Sequence, residues 1–145
     1  MLGYVCKYTP MELFEAMDTE ITRLEPSVTD FNHADTLMHA NICSYTKAVL
    51  EDVMEHDYEG VILTTCCDSI RRLYDTLKSQ FPDKFFFLLD IPRKFNDFAV
   101  TLYERQLKQM LTEYEAFSGK TLDLKRFVSM MQNNCLLYTS DAADD

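Results

Sequence analysis

Two stretches of the chain, "GVILTT" (residues 60–65) and "KFFFLLD" (residues 84–90), are almost continuously apolar and too short for helices. Runs of this length and composition predict strands buried on both faces. Helical stripes surround them. Ile42, Tyr45, Val49 and Val53 recur at spacings of three and four, which predicts an amphipathic helix over "ICSYTKAVLEDVMEH", with Asn41 as its cap. Ile70, Leu73, Tyr74 and Leu77 give "SIRRLYDTLKSQF" the same character, with Asp68 as cap. Phe95, Phe98, Leu102, Met110, Tyr114 and Phe117 form the apolar side of a long helix that Gly119 stops. Upstream, "MLGYVC" reads as a short strand. Pro10 opens a helix carrying Leu13, Phe14 and Met17, and "EITRLEP" is a second short strand closed by Pro26. "SVTDFNHADTLMHAN" has no clean period and reads as an irregular loop. "TLDLKRFVSMMQ" begins a last helix, with Thr121 as cap.

Strand followed by helix, repeated, predicts an α/β domain with a parallel sheet over residues 1–120. Residues 121–134 read as the start of a truncated following domain. In parallel sheets ligands gather at the carboxyl ends of the strands. "TTCCD" stands at one of those ends.

The net charge of −10 disfavours nucleic acid and anionic membranes as partners. Met1 is followed by "LGYVCKYTP", without the basic start or long apolar core of a secretion signal, so a cytoplasmic location is expected. The last eleven residues, "CLLYTSDAADD", resemble the translation of a transposon adapter used in preparing sequencing libraries. On that reading Cys135–Asp145 is an artefactual tail. Without its three Asp the net charge is −7, and the authentic cysteines are Cys6, Cys43, Cys66 and Cys67.

Cysteines without a secretion signal point to thiols, metal or redox chemistry rather than to a disulfide framework. Cys66 and Cys67 precede one helix, and Cys43 stands at the start of the preceding one. Helix N-termini favour negative charge and therefore thiolate, the metal-binding form. Two such starts in consecutive α/β units can face one crevice. The paired C-x-x-C spacing of zinc ribbons and ferredoxins is absent, however. On spacing alone the cysteines read better as small buried apolar side chains. His39 lies close to Cys43 and can line the same pocket or serve as an ordinary loop residue. His33 and His56 form no ligand pair.

The segments "GYVCKYTPMEL", "TRL", "ADTLMHANICSY", "GVILTTCCDSIRRLYD" and "FFFLLDIPRK" follow one another in the order of one family. From about Gly3 to about Gln132 the chain resembles the 2-hydroxyacyl-CoA dehydratase subunits, a group that includes benzoyl-CoA reductase subunits. The resemblance implies a Rossmann/flavodoxin-like three-layer α/β fold and a four-iron four-sulfur cluster held by three cysteines. Cys43 matches the cysteine of the family's N-x-C-x-Y segment. Cys67 matches the one directly before Asp in CD-x-x-RRLYD. Cys66 is one position off that pattern, Cys6 matches a cysteine that is not a ligand, and the third ligand lies beyond this chain.

The resemblance further implies removal of water from (R)-2-hydroxyacyl-CoA to 2-enoyl-CoA through a ketyl radical. A separate iron–sulfur activator that hydrolyses ATP supplies the electron, and a second homologous subunit completes a heterodimer. The chain by itself is expected to be inactive. Arg23, Arg71, Arg72 and Arg93 stand in family-like segments, where they can bind CoA phosphates or simply serve the fold. His39 and Arg72 are the candidate substrate-binding residues. Two alternatives stand beside this reading. One is a benzoyl-CoA reductase-like or other ATP-driven low-potential reductase subunit. The other is a non-catalytic α/β module that has kept the fold without the cluster.

Overall fold

In the computed structural model, which describes residues 1–141, both apolar runs are strands: β3 (Gly60–Thr64) and β4 (Phe85–Leu89). With β1 (Leu2–Tyr4) and β2 (Ile21–Arg23) they form one sheet in the order β2-β1-β3-β4. All pairings are parallel, with Leu2 opposite both Ile21 and Gly60, and Gly60 opposite Phe85. This order is that of flavodoxin-like folds, in which the chain reverses its direction of winding between β1 and β3. The crevice at a switch point lies outside the carboxyl ends of the strands. Here Cys6 follows one of those two strands, and Cys66 and Cys67 follow the other.

Helices cover both faces, which is why the central strands lack polar alternation. Val61, Leu63 and Phe86 pack with Ala34 of α2 (Asn32–Leu37), with Val49, Leu50 and Val53 of α3 (Ser44–Glu55), and with Ile70, Leu73 and Leu77 of α4 (Asp68–Gln80). Ile62, Phe85, Phe87 and Leu89 point the other way. They meet Leu13 and Phe14 of α1 (Met11–Glu15) and Met110 and Tyr114 of α5 (Asp97–Ser118). Leu122, and Phe127 of α6 (Leu124–Asp141), pack onto that second cluster. Cys135–Asp145, read above as adapter-like, runs past the described residues. Among the described residues no helix is long and apolar enough to cross a membrane.

Several expectations are corrected. The segment expected to be an irregular loop contains α2, a six-residue helix too short to display a period. The N-caps of α3 and α4 are Cys43 and Cys67, not Asn41 and Asp68. Helix α6 begins after Asp123, whose carboxylate accepts from the N–H groups of Lys125 and Arg126, so Thr121 is not the cap. Helix α5 begins at Asp97 with Asn96 as its cap, so Phe95 lies before it, and the expected apolar side is buried only in part, with Leu102 and Phe117 also exposed. Met110 and Tyr114 are enclosed, whereas Phe95 and Phe98 are 97% and 73% exposed. Gly119 stops α5 as expected, in a left-handed conformation (φ 71°) that a side chain would strain.

Candidate functional site

The chain leaves β3 through a tight turn. Thr65 N–H still donates to the Leu89 carbonyl at 3.0 Å, and its hydroxyl donates to Asp90 at 2.6 Å, so the turn is tied to the end of β4. Cys67 then adopts an extended backbone and becomes the N-cap of α4. Cys43 does the same for α3 after a turn closed by Ile42 N–H donating to the His39 carbonyl. Helices α3 and α4 lie side by side on the same face of the sheet and share one core cluster. Both begin at the carboxyl edge. The two cysteines therefore stand at equivalent places on neighbouring helices, and both are exposed.

A family model for 2-hydroxyglutaryl-CoA dehydratase, D-component, matches residues 6–134. The chain belongs to this family. No curated protein matches it.

The surroundings of the thiols in this dehydratase-family chain are unequal. Burial works to raise the Cys43 pKa, but the Thr46 hydroxyl and N–H, the Ser69 hydroxyl and the Tyr45 N–H outweigh it, and the thiol titrates below its ordinary range. Thr46 Oγ1 lies 3.0 Å from the Cys43 sulfur. Ser69 belongs to the first turn of α4, so its influence on Cys43 spans the two helix starts. Cys66 behaves oppositely: burial pushes its thiol up, and the neighbouring Cys67 adds to the shift. Cys6 is half-buried and packs against the core under α3 and α4. Tyr45 points toward this region. Burial raises its phenol, with Arg23 pulling the other way and Cys66 and Cys6 close enough to contribute.

Beside the helix starts lies an open groove of ≈ 630 Å³ between the α2–α3 turn and α4. His39, Ile42, Asp68, Ser69, Arg72 and Asp75 are among its lining residues, so the fold brings both candidate substrate-binding residues into one depression. His39 Nδ1 accepts from the Asn41 N–H at 3.2 Å, which leaves the proton of the neutral ring on Nε2. Arg71 and Arg72 flank an adjoining cleft with Asp68 and Asp75. Arg23 pairs loosely with Glu25 at 3.6 Å. Among the described residues no group of three or more His, Cys, Asp or Glu is arranged to hold a metal ion.

Thr46 and Ser69 are the site residues that sequence reasoning passed over. One signal was available for Thr46, because a hydroxyl three residues after an N-cap lies over that cap. Ser69 had none, since its relation to Cys43 exists only once α3 and α4 pack.

Proposed function

We propose that the chain forms part of a 2-hydroxyacyl-CoA dehydratase subunit in which Cys43 and Cys67 are two ligands of a four-iron four-sulfur cluster. The observation that carries this reading is that the two cysteines are the N-caps of α3 and α4, on one face and at one edge of the sheet. Two thiols at neighbouring helix starts would supply part of the donor set such a group requires. Both thiols are exposed at helix N-termini, and hydrogen bonding outweighs burial to lower the pKa of Cys43. Cys66 stands in the turn one residue before the cap of α4, off the position that matches the family's CD-x-x-RRLYD segment, and suits a neighbour rather than a ligand. A third ligand comes from outside this chain.

The reaction is removal of water from (R)-2-hydroxyacyl-CoA to give 2-enoyl-CoA, through a ketyl radical of the thioester. When bound, the cluster supplies a low-potential electron and a Lewis-acidic iron for the thioester carbonyl. A separate iron–sulfur activator, driven by ATP, is the electron source, and a second homologous subunit completes the enzyme in a reducing, oxygen-poor cytoplasm. The D-component description of the family agrees with such a multi-component assembly. This chain's own residues bind and orient. His39, whose Nδ1 is engaged by Asn41, offers its Nε2–H as a donor at the groove, and Arg72 offers a guanidinium for the phosphates of CoA. The apolar wall formed by Leu37, Met38 and Ile42 excludes water from one side of the groove.

The test is anaerobic reconstitution of the complete subunit with iron and sulfide. Visible absorption is expected in the parent and in Cys66→Ala, and is expected to be lost in Cys43→Ala and Cys67→Ala. Full colour in Cys67→Ala refutes the ligand assignment.

A further inference from the structure

We infer that Thr46 is a positioning residue that donates a hydrogen bond to the Cys43 sulfur when that sulfur ligates iron, and that this bond raises the reduction potential of the cluster. The inference rests on the reading of Cys43 as a ligand.

Thr46 is 0% exposed, yet it is polar. A buried hydroxyl requires a partner. Its oxygen lies 3.0 Å from the Cys43 sulfur, one helical turn toward the start of α3. A metal-bound thiolate carries no proton, so in the loaded protein the hydroxyl is the donor. The β-branched side chain has few rotamers inside a helix, and burial restricts it further. The hydroxyl oxygen is therefore held beside the sulfur, and loss of the thiol proton on metal binding leaves the hydroxyl as the donor.

Reduction adds an electron whose charge is shared by the cysteine sulfurs. A donor aimed at one of them stabilises the reduced form more than the oxidised form, which moves the potential upward. In an enzyme that must accept an electron from a low-potential activator, such a donor makes loading of that electron easier. Thr46 touches neither substrate nor reacting atoms. It acts through Cys43.

The experiment compares the complete subunit with Thr46→Val and Thr46→Ser after anaerobic reconstitution, measuring iron content and the cluster's midpoint potential by mediated redox titration. Valine keeps the buried shape and removes the hydroxyl. Serine keeps the hydroxyl and removes a methyl group. The expected result is a more negative potential in Thr46→Val at full iron content, with Thr46→Ser close to the parent. A potential unchanged in Thr46→Val, or a shift confined to Thr46→Ser, overturns the inference and assigns Thr46 to packing alone. Thr46→Ala carries the same expectation as valine and replaces it if valine prevents folding. Absence of a cluster in the parent subunit is a different failure, because it removes the ligand reading itself.

Discussion

The buried carboxylate of Glu51 on α3 accepts a hydrogen bond from the backbone N–H of Ala34 on α2 at 2.7 Å. Its other oxygen lies 2.7 Å from His33 Nδ1. Burial works to raise the Glu51 pKa, but these contacts outweigh it, and the carboxyl titrates below its ordinary 4.5. A depressed folded pKa contributes stability above the unfolded value and loses it as pH falls through the folded one. Denaturant melts are therefore expected to weaken below pH 4.5. Glu51→Ala is expected to cost roughly 2–3 kcal/mol at neutral pH and to flatten that acid limb. A variant that keeps the parent's acid dependence counts against this assignment.

Tyr114 behaves in the opposite sense. It is enclosed against Phe14 and Phe85, and its hydroxyl donates to Glu59 at 2.6 Å, with Thr19 Oγ1 at 2.9 Å. Burial, aided by the bond to Glu59, pushes the phenol up to about 12. The neutral form is favoured by folding, so the contribution is complete below the ordinary value of 10.0 and is lost as pH rises toward about 12. Tyr114→Phe is expected to lower stability by about 1–2 kcal/mol at pH 7. It should also lessen the alkaline loss in melts taken across that window. Equal alkaline slopes in parent and variant would sink the idea.

Gly60 opens β3 because nothing larger fits. A Cβ there would lie 1.9 Å from the Phe85 carbonyl oxygen, a backbone atom of the paired strand that cannot step aside. Gly60→Ala is expected to destabilise the fold by about 3 kcal/mol or more. Gly119→Ala meets no atom within 4 Å and suffers only the left-handed backbone, roughly 1–2 kcal/mol. Thermal melts of the two variants should separate in that order.

Burial varies along α5 and the segment just before it, and stability should follow. Met110→Ala removes a fully enclosed side chain and is expected to cost about 2–5 kcal/mol. Phe95→Ser and Phe98→Ser, at solvent-facing positions, are each expected to change stability by less than about 0.5 kcal/mol. A large loss in either serine variant of the isolated chain would show that Phe95, before the helix, or Phe98, at its start, is packed rather than exposed.

Much of the fold was legible. The runs at residues 60–65 and 84–90 could only be strands with both faces covered, and Gly119 could only end its helix. The place of Cys43 and Cys67 near consecutive helix starts was legible too, although the apolar stripe of α3 reads from Ile42 and the caps read as Asn41 and Asp68, one or two residues from the true ones. Helix α2 was not legible. Its six residues span less than two turns, and Phe31 at its N-cap offers no side-chain cap bond. It is held instead by Glu51, contributed from the middle of α3.

Local chemistry along the chain determined the kinds of elements, their order and the residues that could carry sulfur chemistry, since periodicity, glycine and proline act within a few residues of themselves. Only the tertiary structure decided which stripe meets which sheet face. It left Phe98 in solvent while enclosing Tyr114, and it set α3 against α4 and gathered His39 and Arg72 into one groove. Those relations join atoms from separate crossover units. Their proximity follows from packing around β3, which no short window of sequence contains.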